Sequence, residues 1–420
     1  SWNVVVTDID LAGDVNHMFT QTGQQIRVIK EIFIPRINFS YTLLDQNKVV
    51  VAEEKDLKLK DMGFSGLFVE NGRVTFSGNE EAIVCCNIWL RTADRILIKI
   101  KDFRATDFEE LFQGVLSIEW GDILPSDSTI YVTGKSVRSR LFSIKDCQSV
   151  VKKAIIEAMR RKYNRSLFPE TGPLYRIEVA LNKDIATITI DTTGKGLHKR
   201  GYRQERVEAP LKETLAAGIV LLSRWSPPEI LSDPFCGSGT IPIEAALIGK
   251  NIAPGMRRQF VSEQWWQIDK KIWKDVREDA LLKINNHGFR ILASDIDGRA
   301  IQTARQNAVR AGIEGYIAFQ KMDFNAFSSK KSGGFIICNP PYGERIGEIK
   351  EVEEIYKRLG TLYSRLNNWS MFILSPHPEF QRLFGRKADR NRKIYNGKIK
   401  CYLYQYGMKR TRLKVDSCGL

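Results

Sequence analysis

Apolar residues that alternate with polar ones mark half-buried strands, and apolar residues three and four apart mark helices. Both rhythms run through the first half of this chain. The first seventy residues mix strand-like runs at 4–6, 26–34 and 49–51 with a charged stretch at 53–60. From Gly72 a short strand over Arg73 to Phe76 leads to a helix that starts near Glu80 and runs through Leu90. An alternating strand follows from Arg95 to Lys101. Val150, Val151, Ala154, Ile155 and Ala158 fall on one face of a helix spanning about Cys147 to Met159, with Ser143 and Asp146 as candidate caps. The β-rich runs Tyr175 to Leu181 and Ile185 to Ile190 enclose Asn182-Lys183-Asp184 and predict a hairpin. Gly194, Gly196 and Gly201, interspersed with Lys195, His198, Lys199 and Arg200, place a boundary at 192–201.

Beyond that boundary the pattern becomes a regular alternation. Helices are expected from Pro210 to Leu222, Pro242 to Ile248 and Arg299 to Ala311. Strands are expected at Ile230-Leu231, Arg290 to Ala293, Tyr316 to Met322 and Gly334 to Cys338. Strand and helix in turn, with loops at strand ends, predict a mostly parallel sheet covered by helices. Asn396-Gly397, between Lys393-Ile394-Tyr395 and the run from Lys398 to Tyr406, predicts a two-residue hairpin loop. The fold class is thus α/β, a Rossmann-like domain with a mixed, mostly parallel sheet, preceded by an α+β region.

Composition narrows the class. A chain of 420 residues, 43% hydrophobic and 27% charged, buries its own cores and needs neither disulfides nor metal to fold. Its seven cysteines are scattered and form no Cys-x-x-Cys, so neither a disulfide framework nor a zinc site is indicated and a reducing compartment is expected. No apolar run approaches the roughly 18 residues of a spanning helix, and the first residues carry no basic-then-apolar leader. The expectation is a cytoplasmic protein without membrane association. A net charge of +15 favours a polyanionic partner, most simply nucleic acid.

Four strand-end segments carry candidate chemistry. Asp233-Pro234-Phe235-Cys236-Gly237-Ser238-Gly239-Thr240 joins a strand to a helix, so its glycines let backbone amides approach a ligand while Asp233 offers a carboxylate to a cation. It lacks the Gly-Lys-Ser/Thr of a Walker loop and the third glycine of a dinucleotide fingerprint. Asp295, in Leu292-Ala293-Ser294-Asp295-Ile296-Asp297, can accept from both ribose hydroxyls, whereas Asp297 reads as the cap of the next helix. Asp323 stands at the following strand end, where it could accept from an adenine amino group. The fourth segment, Asn339-Pro340-Pro341-Tyr342 after an apolar strand, offers acceptors at the edge of a planar amine and a ring for its face. Cys236 could be a nucleophile but has no partner base in view and reads as a small loop residue.

The Gly-rich loop and the Asn-Pro-Pro-Tyr turn together resemble class I S-adenosylmethionine-dependent amino-methyltransferases acting on exocyclic nitrogens. Ala209-Pro210-Leu211-Lys212-Glu213-Thr214 ahead of the loop resembles the RNA-base group. The segments Gly134 to Leu141, Asp146 to Lys153 and Ile190 to Arg203 are similar to the THUMP-containing large-subunit rRNA methyltransferases related to bacterial guanine-N2 enzymes. The resemblance covers about residues 62 to 408. It implies an N-terminal region at 1–70, where the family's ferredoxin-like entry is not recognisable, a THUMP-like RNA-binding domain at 71–195, a methyltransferase domain at 196–410 and a basic tail at 411–420. It further implies S-adenosylmethionine as cofactor, held by Asp233, Phe235, Gly237, Gly239, Thr240, Asp295 and Asp323, and an amine-binding turn of Asn339, Pro340 and Tyr342. RNA, 23S rRNA or a large-subunit precursor, would meet Lys135, Arg138, Arg140, Lys152, Lys153, His198, Lys199 and Arg200. His198 could also be proposed as a base, but its basic, glycine-rich surroundings suit RNA contact or hinge packing. The stretch 386–414 adds eleven Lys or Arg against one Asp. Two other functions compete with a guanine-N2 RNA methyltransferase: a DNA adenine-N6 methyltransferase, because Asn-Pro-Pro-Tyr suits that amine equally, and a non-catalytic RNA-binding assembly factor.

Overall fold

The two rhythms of the sequence become two sheets. In a computed structural model the described residues are 2–7, 41–44, 50–54, 65–70, 73–203, 211–343, 348–397 and 399–407. By packing, the chain divides into one unit of residues 1–201 with 251–284 and a second of 202–250 with 285–420. The run expected as one domain from 196 to 410 is interrupted by 251–284, which packs in the first unit.

The first unit holds a seven-stranded sheet. Its strands are β1 (Trp2–Thr7), β4 (Ser65–Glu70), β5 (Arg73–Gly78), β6 (Arg95–Arg104), β7 (Thr129–Val137), β8 (Leu174–Asn182) and β9 (Ile185–Asp191), in the order β4-β5-β1-β6-β9-β8-β7. Every pair is antiparallel except β7 with β8. A separate hairpin joins β2 (Tyr41–Leu44) to β3 (Val50–Glu54), while the run expected at 26–34 lies outside the described residues. Helix α1 (Glu80–Trp89) starts where the Asn79 side chain accepts from Ala82 N, satisfying an orphan donor of the first turn. It packs on β1, β5 and β6. Helix α4 (Ile144–Tyr163) is longer than expected and buries Cys147, Val151, Ala154, Ile155 and Met159 where it packs on α2 (Phe108–Leu116), the short α3 (Trp120–Ile123) and β7. Val150 and Ala158, expected on that face, are only half-buried at its margins. The β8–β9 turn is made by Lys183 and Asp184, both at positive φ (52° and 62°), the twist a two-residue antiparallel hairpin requires.

Segment 251–284 is held by aromatic and polar contacts to this sheet. Trp265 stacks on Tyr175 with ring centroids 4.7 Å apart and donates its indole N–H to the Leu174 carbonyl at 3.0 Å. Ser262 Oγ donates to the Thr192 carbonyl at 2.8 Å, and helix α7 (Lys270–Leu282) lies along α1.

The second unit holds the alternating part. Strands β10 (Leu231–Asp233), β11 (Ile291–Asp295), β12 (Ile317–Lys321), β13 (Gly334–Cys338), β14 (Trp369–Ser375), β15 (Arg390–Asn396) and β16 (Ile399–Tyr406) run in the order β12-β11-β10-β13-β14-β16-β15. The first five are parallel, and β16 is antiparallel to both neighbours. Helices α5 (Glu213–Ser223), α6 (Thr240–Gly249), α8 (Gly298–Ala311) and α9 (Glu348–Arg365) complete the alternation. The chain leaves β10 to one side for β11 and returns to the other for β13, so the carboxyl ends of β10 and β13 flank a topological switch point, where open α/β sheets bind ligands. Among the described residues no helix is long and apolar enough to cross a membrane.

Candidate active site

A cavity of about 780 Å³ opens at that switch point, within the volume range of small-molecule sites. Its wall includes Phe235 and Gly237 after β10, Asp295 at the end of β11, Asp323 after β12, and Asn339, Pro340 and Tyr342 after β13. Residues more than a hundred positions apart in sequence therefore converge because parallel strands present all their carboxyl ends to one side.

The Gly-rich loop is pinned at several points. Cys236 N donates to the Ser294 carbonyl at 3.0 Å, Gly237 N to Asp295 Oδ2 at 2.9 Å, and Asn307 Nδ2, from α8, to the Ser238 carbonyl at 3.0 Å. Gly239 has φ of 85° and lies so close to α8 that a Cβ would meet Ala304 Cβ at 3.0 Å, so both backbone and packing require glycine. Thr240 does not face the cavity: it is buried, and its hydroxyl accepts from Arg203, whose guanidinium also bonds the Leu211 carbonyl and lies 3.7 Å from Glu213. Cys236 is buried, and its thiol is pushed well up by desolvation and by Asp233 and Asp295, which suits the loop role and not a nucleophile.

Asp233 lies under the loop, outside the cavity wall, and is 1% exposed. Its Oδ1 accepts from Phe235 N at 3.0 Å, while Oδ2 has no hydrogen-bond partner among the described residues. Burial, reinforced by Asp295, raises its carboxyl well above the ordinary range, only partly offset by the Phe235 amide. Asp295 accepts Gly237 N on Oδ2 and Asp297 N on Oδ1, leaving lone pairs on both oxygens. Asp297 caps α8 by accepting from Arg299 N at 2.9 Å, as expected. Asp323 is exposed at the cavity wall and caps the short turn after it through Asn325 N.

The Asn-Pro-Pro-Tyr turn is braced from two directions. Tyr356, fully buried, donates to the Pro341 carbonyl at 3.1 Å and is itself bonded to Ser375 at 3.0 Å. Tyr342 donates its hydroxyl to Asn339 Oδ1 at 2.6 Å. Burial pushes the Tyr342 phenol far above its usual range, so at neutral pH it carries its proton and can donate.

Comparison with known proteins is consistent with these motifs. The domain described as RMKL-like, methyltransferase domain, matches residues 200–405, the THUMP domain matches 105–191, and a protein of unknown function (DUF3016) matches 1–76. "Putative RNA methyltransferase YpsC" of Bacillus subtilis (strain 168) is 46% identical over 365 residues, covering 86% of this chain and 94% of its own. The chain belongs to the THUMP-containing RMKL-like methyltransferase family. Within it, "Ribosomal RNA large subunit methyltransferase K/L" of Legionella pneumophila (strain Corby) is 34% identical over 330 residues. Those residues are 76% of this chain and 46% of the relative, so the chain spans about half the length of the K/L proteins. The crystal structure of "SMU.472, a putative methyltransferase complexed with SAH" superposes with a TM-score of 0.81 at 39% identity, covering 98% of this chain and 99% of its own.

The family's class I fold implies S-adenosylmethionine as cofactor. The donor set fits that group: an orphaned buried carboxylate oxygen on Asp233, a strand-end carboxylate with spare lone pairs on Asp295, and open space above Gly237, where a Cβ would touch nothing within 4 Å. Sequence reasoning missed Ile296, an apolar side chain 69% exposed at the cavity wall beside Asp295, and Arg358 and Asn396, which line it from α9 and β15. Ile296 could have been found by its place directly after the acid. The other two depend on pairings distant in sequence.

In the THUMP-containing unit the RNA candidates separate. Arg138, Arg140, Lys153 and Lys199 are exposed, whereas Lys135 pairs with Glu178 at 2.9 Å and Lys152 with Glu170 at 2.7 Å. His198 Nδ1 lies 3.6 Å from Asp94, and Arg200 is 5% exposed with its guanidinium on the carbonyls of Leu197 and Arg91. Arg200 therefore serves the junction's own structure, because its donors are spent on buried carbonyls. Phe142, 82% exposed beside Arg140, and Tyr131, 55% exposed on β7, were not singled out in sequence.

Proposed function

We propose that this methyltransferase acts on an exocyclic amine of an RNA base, guanine N2 of 23S rRNA. The observation that carries the reading is that the Asn339–Tyr342 turn lines the same cavity as Asp295 and Asp323. Bound S-adenosylmethionine would supply a methyl group on its sulfonium sulfur, which departs as the neutral thioether of S-adenosylhomocysteine, and the methylated nitrogen gives its surplus proton to solvent. Everything else falls to the chain. Asp233, buried beneath the Gly-rich loop, places its carboxylate behind the wall that receives the cofactor's cationic amino group, Asp295 takes the ribose hydroxyls and Asp323 the adenine amine. A guanine N2 lone pair is delocalised into the ring and nearly non-basic, so no strong base is called for: Asn339 Oδ1 and the Pro340 carbonyl accept from its two N–H groups and aim the nitrogen along the transfer direction. Such positioning of two bound reactants contributes roughly 7 to 11 kcal/mol. The Tyr342 ring stacks on a base taken out of its helix, which returns about 1 to 3 kcal/mol of the unstacking cost. The exposed cations and aromatics of the THUMP-containing unit hold RNA phosphates and unpaired bases.

Naming of the K/L relatives and the THUMP match support RNA over DNA. The test is to incubate the full chain with labelled cofactor and unmodified 23S rRNA, digest to nucleosides and identify the product by mass spectrometry. N2-methylguanosine is expected. N6-methyladenosine as the sole product refutes the guanine assignment, and no product on any RNA refutes the substrate class.

A further inference from the structure

The Asn396-Gly397 pair was expected to form the hairpin loop, but the register pairs Asn396 with Ile399, so Asn396 is the last residue of β15 and the loop begins at Gly397, with φ of 62°. That shift of one residue frees the Asn396 side chain for the cavity, which it lines while remaining only 9% exposed. Its Nδ2 lies 3.4 Å from the Tyr342 hydroxyl, and that hydroxyl is 2.6 Å from Asn339 Oδ1.

We propose that Asn396 is a positioning residue for methyl transfer, acting through Tyr342 on the Asn339 amide. The polarity of the chain of bonds is fixed by the number of protons. A phenol has one, and Asn339 Oδ1 has none to give, so the Tyr342 proton lies toward Asn339 and the phenol oxygen must accept from Asn396. Asn339 is thereby held with one lone pair of Oδ1 engaged and the other available to the substrate amine. An amide free to rotate would present its NH2 to that amine about as readily and repel it. Donation by Asn396 also makes the phenol a stronger donor, since successive hydrogen bonds polarise one another. The inference rests on reading the turn as the amine-binding element.

The test combines turnover with a readout that needs no RNA. Asn396→Asp keeps the shape but, ionised at pH 8.5, cannot donate; it and Asn396→Ala should each lower kcat about tenfold, the cost of one aligned hydrogen bond. KM for rRNA and affinity for S-adenosylhomocysteine should stay within about twofold, the scatter of independent effects. Tyr342→Phe should lose at least as much, and Asn396→Ala added to it should cost nothing further. In protein labelled with 15N-asparagine, Tyr342→Phe should shift the side-chain amide signals of both Asn339 and Asn396. Full kcat in Asn396→Asp, additive losses in the double variant, or unmoved amide signals overturn the proposal. Absence of methyl transfer by the wild type would count instead against the proposed function, and the amide signals would then decide the relay alone.

Discussion

Replacing Asp295 tests the cofactor site most directly, because its carboxylate has two structural and two prospective bonds. In the structure Oδ2 holds the Gly237 amide at 2.9 Å and Oδ1 the Asp297 amide at 3.0 Å. The remaining lone pairs are assigned to the two ribose hydroxyls. A hydrogen bond to a charged acceptor contributes about 1.5 to 3 kcal/mol, and Asp295 is only half-buried, so the low end applies to each hydroxyl. Asp295→Ala also releases Gly237 from its tether, which adds loop entropy to the loss. The expected weakening of S-adenosylhomocysteine is about 3 kcal/mol, or roughly 150-fold in Kd. Asp295→Asn retains one acceptor oxygen and should lose less. Isothermal titration with S-adenosylhomocysteine and with its 2′-deoxy analogue gives a cycle: wild type should discriminate between them about tenfold, one hydrogen bond's worth, and Asp295→Ala not at all. Equal discrimination by both proteins, or an Asp295→Ala affinity within twofold of wild type, refutes the assignment.

Asp233 should link cofactor binding to protons. Its carboxyl is raised in the folded chain, so the folded state binds more protons than the unfolded one between the ordinary carboxylate range and the raised value. Stability of the ligand-free protein should fall as pH rises through that window, by at most about 1.4 kcal/mol per pH unit for one proton. Thermal unfolding against pH should show this slope in the wild type and lose it in Asp233→Asn, and cofactor affinity should rise with pH over the same window; a slope unchanged by the substitution refutes it. Arg203→Ala removes the cation beside Glu213 and Thr240 and should destabilise the protein by about 3 kcal/mol, the cost of breaking a buried pair, as read by denaturant unfolding; a loss below about 0.5 kcal/mol refutes the anchoring role. For RNA, Arg138→Ala with Arg140→Ala should flatten the log-log salt dependence of binding by about 1.4, whereas Lys135→Ala, whose ammonium is already paired with Glu178, should change it less. Filter binding across salt concentrations checks this, and an unchanged slope in the Arg138/Arg140 variant moves the RNA surface elsewhere.

What the sequence determined by itself was whatever is written in local periodicity and strand-end chemistry. Apolar strand runs such as Phe335 to Cys338, the capping Asp297 and the loop from Asp233 to Thr240 have their structural causes within a few residues, so their elements lie within a residue or two of expectation. Alternation of strand and helix also put Asp295, Asp323 and Asn339 at strand ends, and because parallel strands deliver their carboxyl ends to one side these three line one cavity, while Asp233 is buried beneath the loop. Tertiary structure decided what depends on contacts between distant segments. It turned Thr240 away from the cavity onto Arg203, spent Arg200 on buried carbonyls, and joined 251–284 to the first unit through Trp265 and Tyr175. It also moved Asn396 out of its loop and onto the Tyr342 hydroxyl. A polar side chain's role is set by the nearest partner that can satisfy its donors and acceptors once water is excluded, and only the folded packing of distant strands brings that partner within reach.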